Sequence, residues 1–239
     1  MSINANNILI IGLGMIGSSI ALACKSKGIN VKGFDLDKSV YQDALKNNVI
    51  DESVEFLENI NSLEFVSDID LIVIAVPPKQ TLDVINKLDL IWNTETTITD
   101  TSSVKNHIKL ANVNNFVLSH PIAGSDKSGL SAADLNLFNN KKNVICNPFN
   151  ADQKHLDRVE NFWSGALNMN ISHMSVSEHD LIFAMTSHLP HLVSYALIDS
   201  IRLSPIDVAD NAGGGLKEFL RLSGSNPEMW RDIFTLNRV

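Results

Sequence analysis

The chain has 239 residues, of which 44% are hydrophobic and 19% charged, and its formal net charge is −8. That length suits one or two domains with a substantial core. The acidic balance argues against nucleic acid or an anionic membrane as main partner, so an anionic substrate must be met by local cations.

The amino-terminal residues 1–7 carry neither a charged leader nor a cleavage site, and no apolar run reads as long enough to span a bilayer. A cytoplasmic protein is expected. Cys24 and Cys146 fall in a helix-like and a strand-like segment and read as buried thiols. With no CxxC pattern or Cys/His cluster, no metal is expected.

Strand-like and helix-like segments alternate over the first two-thirds of the chain. Residues 8–11 are uniformly apolar, as in a strand buried on both faces, and 16–27 read as a helix. A strand over 31–35 and a helix over 39–47 follow. Residues 71–76 form the strongest buried-strand signal, with a helix over 80–88 behind them. Then come a strand over 96–100, a helix over 104–111, and strands over 116–119 and 143–147. The 152–167 segment reads as a helix with Leu156, Val159, Phe162 and Trp163 on one face. A last strand is expected within 168–174. Beyond it only helices are predicted: a long one over 177–201, broken or kinked near Pro190, and shorter ones over 208–212, 216–222 and 227–237. Asn226 and Pro227 are a natural N-cap and first helical residue. This pattern implies an α/β fold: a Rossmann-type, doubly wound, mostly parallel sheet over 1–174, then a smaller all-helical domain over 175–239.

Gly12-Leu13-Gly14-Met15-Ile16-Gly17 joins the first strand to the first helix. Gly12 would allow the tight turn, Gly14 the approach of a pyrophosphate, and Gly17 the packing of helix on strand. The helix-start amides would then face the phosphates. Asp35 ends the second strand, where a carboxylate accepts from the adenosine ribose hydroxyls. No arginine follows to hold a 2′-phosphate, so NAD is expected rather than NADP, with Lys38 the one cation nearby. Ala75, Val76 and Pro77 end the buried strand, at the level that lines the nicotinamide side of such clefts. A strand simply stopped by prolines is equally compatible.

His120 stands at the end of the 116–119 strand. Pro121 cannot donate to a ladder and is expected to stop the pairing there. Ligands of open parallel sheets bind beyond such strand ends, so the histidine is placed to exchange a proton with a substrate. A loop histidine capping the sheet is the plainer alternative. Ser102 or Ser103 is either an N-cap or a partner for a substrate hydroxyl. His188 and His191 share one helix face, and Pro190 frees the carbonyl of Thr186. They are either interface packing or the lining of a cleft. Gly213, Gly214 and Gly215 read as a hinge before a helix bearing Arg221, which either clamps a carboxylate or is solvated.

Taken together, the glycine turn, residues 100–105, His120-Pro121-Ile122-Ala123-Gly124 with Lys127-Ser128-Gly129, His179-Asp180, residues 187–191 and residues 213–221 resemble the prephenate and arogenate dehydrogenases of tyrosine biosynthesis. The resemblance covers nearly the whole chain. It implies oxidative decarboxylation: a hydride passes to NAD from the ring carbon bearing the hydroxyl, and carbon dioxide leaves as the ring becomes aromatic. It also implies that His120 accepts the hydroxyl proton, Ser103 bonds that hydroxyl, His191 lines the substrate cleft and Arg221 holds a carboxylate. Ser125 and Asp126 stand where the family often has threonine and glutamate, and are expected to touch substrate with shortened side chains. A homodimer is implied. Family members usually continue for several more helices, which contribute to that dimer. Prephenate and arogenate remain alternatives. So do another small reductase of this fold and a cofactor-binding protein without turnover.

Overall fold

The computed structural model describes residues 5–55, 57–60, 62–124, 127–205 and 213–238. Eight strands form one sheet: β1 (Asn7–Ile11), β2 (Asn30–Phe34), β3 (Glu52–Ser53), β4 (Leu71–Ile74), β5 (Thr97–Asp100), β6 (Phe116–Pro121), β7 (Lys142–Cys146) and β8 (Asn170–His173), in the order β3-β2-β1-β4-β5-β6-β7-β8. All neighbours are parallel except β6 and β7. The order reverses between β1 and β4, which opens a crevice at their carboxyl ends, the usual ligand position in such sheets.

The β4 residues Leu71, Ile72, Val73 and Ile74 are buried on both faces. Their alternate side chains enter the two apolar layers that flank the sheet. Burying each is worth about 1.5–3 kcal/mol. Helices α1 (Met15–Lys25), α2 (Lys38–Lys46), α5 (Pro78–Asn86) and α6 (Gln153–Asn161) cover the sheet, with two short helices, α3 (Leu57–Ile60) and α4 (Leu63–Val66), ahead of β4. Val159, Phe162 and Trp163 are buried beneath α6 and the π-helical turn that follows it.

Three expectations change. Residues 104–111 are not helical. Their opening amides are taken from outside: the Asp180 carboxylate accepts from the backbone N–H of Lys105 (2.9 Å) and Asn106 (2.8 Å), and the Lys105 ammonium is drawn into the protein. Local helix propensity gives way to these tertiary partners. Pairing does not stop before Pro121 either. His120 and Pro121 stand opposite Val144 and Asn143 of β7, and the ladder continues through Ile122 N–H to Lys142 C=O. Only the ladder to β5 ends early, at Thr99 opposite Val117. Beyond it the Asp100 carboxylate accepts from Ser119 N–H at 3.0 Å. β6 thus leaves β5 two residues before His120.

The third change concerns the long helix. Val176–Arg202 is continuous, made of α7 (Val176–Phe183), a π turn (Ala184–His188) and α8 (Leu189–Arg202). By length and composition it is apolar enough to cross a membrane, contrary to the expectation that no such run exists. Pro190 sits in the first turn of α8, directly after the π turn, where its missing N–H and ring are accommodated. A capping box at Ser175 and Glu178 starts this helix. α9 (Gly214–Ser223) and α10 (Pro227–Leu236) complete the helical part, with Asn226 capping α10. The helix expected over 208–212 lies outside the described residues.

Candidate active site

The turn after β1 follows steric demand. Gly12 has φ +97°, and a Cβ there would stand 2.5 Å from the Ala75 carbonyl oxygen. A Cβ on Gly17 would lie 1.9 Å from the Gly12 carbonyl oxygen, so α1 can approach the turn only with glycine there. Gly14 is different: a Cβ on it would meet nothing within 4 Å. It is the N-cap of α1, has no side-chain cap, and no acidic residue occupies the first turn. The site therefore presents open space and helix-start amides where an anionic group fits. The Asp35 carboxylate accepts from Leu13 N–H at 2.8 Å and Asp37 N–H at 3.0 Å, which fixes it beside the turn with further lone pairs to offer. Leu13 itself is buried in the core.

A cavity of about 660 Å³ extends from this turn, lined by Gly14, Met15, Ile16, Ala75, Val76 and Pro77. A second, of about 480 Å³, lies between the end of β6 and the helical part, lined by His120, Phe183, His188, His191, Arg221 and Trp230. Ser103, Ser225 and Met229 border both, so Ser103 stands where the two spaces join.

His191 is stacked on Trp230, with ring centroids 3.6 Å apart and planes at 19°. Its Nδ1 lies 2.9 Å from the Ser187 carbonyl, an acceptor, so Nδ1 carries the proton and Nε2 is left bare. Burial lowers the His191 pKa, against the Ser187 bond. His188 is buried and its Nδ1 lies 3.0 Å from the Asn237 amide nitrogen. Burial, more than its histidine neighbours, takes its pKa down to about 4, against the pull of Asp180. Arg221 lies at the rim, 62% exposed, and pairs with Glu218 at 3.0 Å.

Beneath the second cavity lies a buried charged layer. The Lys105 ammonium and the Asp100 carboxylate are 2.6 Å apart, and neither side chain is exposed. Lys105 Nζ also donates to the Ser119 carbonyl, and Asp100 accepts from Ser102 N–H at 3.0 Å. His120 Nδ1 is 2.8 Å from His179 Nε2, and His179 Nδ1 is 2.8 Å from Asp180 Oδ1. The His120 pKa falls well below the ordinary value through burial first, then through His179, Lys105 and His188.

Of the residues singled out by sequence, His120, Ser103, His191 and Arg221 come together around one cavity. Gly14, Met15, Ile16, Ala75, Val76 and Pro77 come together around the other. Gly12, Leu13 and Gly17 shape the turn from behind. Ser102 is buried, its hydroxyl donating to the Val104 carbonyl at 3.0 Å, so it caps no helix. Ser125 and Asp126 lie outside the described residues. Sequence reasoning assigned no role to Lys105, His179, Asp180, Phe183 or Trp230. The adjacent His179 and Asp180 were visible, but nothing local told that they face β6.

Known proteins share this fold and much of this sequence. Residues 20–169 match the family described as prephenate dehydrogenase, nucleotide-binding domain, and residues 175–239 match prephenate dehydrogenase, dimerization domain. The chain is 34% identical over 246 residues to prephenate dehydrogenase of Bacillus subtilis, covering 98% of this chain but 64% of that protein. It thus spans less than two thirds of that relative's length. A crystal structure of prephenate dehydrogenase from Aquifex aeolicus, in complex with hydroxyphenyl propionate and NAD+, superposes with a TM-score of 0.87 at 31% identity, covering 100% of this chain and 85% of that one. Arogenate dehydrogenase from Synechocystis superposes with a TM-score of 0.78 at 26% identity, covering 97% and 84%. The chain belongs to the prephenate dehydrogenase family.

Proposed function

We propose that the protein catalyses the NAD-dependent oxidative decarboxylation of prephenate to 4-hydroxyphenylpyruvate, a step of tyrosine biosynthesis. The observation that carries this reading is the shared border at Ser103: a nucleotide cradle opens directly onto a cavity holding one imidazole at a strand end. NAD supplies the hydride acceptor. The α1 amides and Gly14 would take its pyrophosphate, Asp35 its adenosine ribose, and the segment 75–77 its nicotinamide side. His120, neutral at physiological pH because burial and nearby cationic and imidazole groups disfavour its charged form, takes up the substrate hydroxyl proton. Ser103 bonds the same hydroxyl. His191, held by the Trp230 stack, lines the cleft, and Arg221 at the rim receives the carboxylate of the substrate side chain. Ser125 and Asp126 are proposed to touch substrate as well. A cytoplasmic site of action fits an enzyme drawing on a soluble cofactor.

The test is NADH formation at micromolar enzyme with prephenate and with arogenate side by side. His120→Asn keeps a hydrogen-bonding side chain but takes up no proton, and should lose roughly 10²–10⁴ in kcat with NAD affinity unchanged. Full kcat in that variant would remove His120 from the chemistry. Faster turnover of arogenate would reassign the substrate.

We further propose a homodimer. On the helix Val176–Arg202, Leu181, Ile182, Met185, Leu189, Leu192 and Val193 are each at least 40% exposed and recur every three or four residues. An apolar stripe of that kind is covered by a second copy in a helical interface. The match of 175–239 to a dimerization domain supports it. Light scattering showing only monomer at micromolar concentration would refute it for this chain.

A further inference from the structure

The proton taken up by His120 has to be accommodated in a buried layer. Asp180 is almost wholly buried and accepts three hydrogen bonds: from Lys105 N–H, Asn106 N–H and His179 Nδ1. Burial acts to raise its pKa, but these donors together hold it below the ordinary range, so it is a carboxylate and can only accept. His179 Nδ1 therefore carries a proton. Neutral His179 then has a bare Nε2, and the atom 2.8 Å from it, His120 Nδ1, must be the donor. This leaves His120 Nε2 as the bare nitrogen on the cavity side. Phe183 seals the pair, its ring centroid 4.8 Å from that of His120 and 4.7 Å from that of His179.

We propose that His179 and Asp180 form a relay behind His120 that sets its tautomer and carries its proton inward during turnover. The proposal rests on the proton-accepting role given to His120 above. The substrate O–H bond breaks and its proton bonds to His120 Nε2. The Nδ1–H bond of His120 breaks and that proton bonds to His179 Nε2. The electron pair of the substrate C–H bond leaves as hydride to NAD. The O–H electron pair becomes the second C–O bond, His120 ends this step neutral with its tautomer exchanged, and the positive charge rests on His179 against the Asp180 carboxylate until the bond to the leaving carboxylate breaks, its electron pair makes the ring a phenolate, and the proton returns along the same path. Without the relay that charge would sit on His120 itself, where burial, Lys105 and His188 all disfavour it. Burial first, and Lys105 with it, also lower the His179 pKa, but the Asp180 and Asp100 carboxylates oppose them, and it is lowered less far than that of His120. The arrangement follows the logic of an acid–imidazole pair in which the carboxylate orients the ring and stabilises the imidazolium, extended by one imidazole. His179 and Asp180 are positioning residues in this scheme, because neither lines the substrate cavity.

Two measurements test it on the full chain. Two-bond proton–nitrogen NMR of histidine-labelled protein reads the tautomer of each of the seven histidines. His120→Asn and His179→Leu assign the two resonances in question. At pH 7.5 both rings should be protonated at Nδ1 and bare at Nε2. In Asp180→Asn the His120 signals should change although Asp180 does not touch that ring. A His120 protonated at Nε2 in the wild-type protein overturns the proposal whatever the enzyme turns over. The second measurement is NADH formation with prephenate. His179→Leu and Asp180→Asn should each lose on the order of ten- to a hundredfold in kcat, while KM and NAD affinity stay within about twofold of wild type. In Asp180→Asn the acid limb should also move to lower pH, because the carboxylate favouring protonation of the pair is gone. Wild-type kcat with an unmoved acid limb overturns the relay. Asp180 also holds the Lys105 and Asn106 amides, so if Asp180→Asn does not fold, His179→Leu decides. Wild-type protein inactive on prephenate and arogenate, yet with the expected tautomers, would overturn the activity and leave the tautomer assignment standing.

Discussion

Lys105→Met is the most informative single perturbation of the buried layer. The ammonium is fully buried, 2.6 Å from Asp100 and bonded to the Ser119 carbonyl. Met matches the stem and removes the charge, so among the described residues Asp100 keeps the amides of Ser102 and Ser119 and loses its cation. Stranding one member of a buried ion pair costs about 3–5 kcal/mol. A second route gives a similar figure: an aspartate can escape stranding by taking up a proton, which at pH 7 costs about 4 kcal/mol for a carboxyl with the solution pKa near 3.9. For a chain of this length, unfolding entropy of about 2.1 cal/mol/K per residue converts this to a drop of about 6–10 °C in Tm. Thermal and urea unfolding followed by circular dichroism measure it. Adding Asp100→Asn should restore part of the loss, since both charges are then gone. The same variant bears on catalysis. Lys105 is one of the groups that lower the His120 pKa, after burial and His179. Removing it raises that pKa, and a base is lost as pH falls through its pKa, so the acid limb of kcat should move up in pH. A Lys105→Met protein within about 1 kcal/mol of wild type, with its acid limb in place, would refute this account of the layer.

Gly14→Ala should keep the wild-type Tm and lose NAD binding, whereas Gly17→Ala should lose both, because only the second Cβ collides with the protein itself; calorimetry and nucleotide titration separate them. Asp35→Ala should weaken NAD binding and narrow the preference over NADP, and wild-type protein that prefers NADP would sink that assignment. Arg221→Ala should raise KM for prephenate with little change in kcat, and less than a buried clamp would, because the guanidinium is 62% exposed and paired with Glu218; an unchanged KM returns it to the solvated surface.

What was legible in the sequence was what local geometry enforces. Gly17 is required by the Gly12 carbonyl five residues before it, Gly12 by Ala75 at the end of the neighbouring strand β4, in a turn whose glycine spacing is itself the signal, and 71–74 carry the uniformly apolar run of a doubly buried strand. His120 could be placed at a strand end because the apolar run before it is unambiguous. The segment 104–111 misled because its helical pattern competes with partners 75 residues away in sequence, the Asp180 oxygens. Lys105 reads as a surface residue by type, and only the folded chain shows Asp100 and the Ser119 carbonyl waiting for it. The Trp230–His191 stack spans two helices, so no periodicity could reveal it. The two-residue β3 is too short to leave any pattern.

The π turn Ala184–His188 sets a phase within the helix Val176–Arg202. Upstream of it, His179, Asp180 and Phe183 turn toward the sheet; downstream, His191 and Ser194 turn toward α10 and α9. A uniform α-helix advances about 100° per residue, and one residue held in a wider turn offsets everything after it by that step. Deleting one residue from this turn would remove the extra residue and the offset together and leave both faces in place, whereas deleting one from the regular turn of α8 ahead of His191 would carry His191 off Trp230 while every side chain kept its chemistry. The segment 184–188 is therefore where this helix can lose a residue and still aim both of its faces, while α7 and α8 on either side cannot.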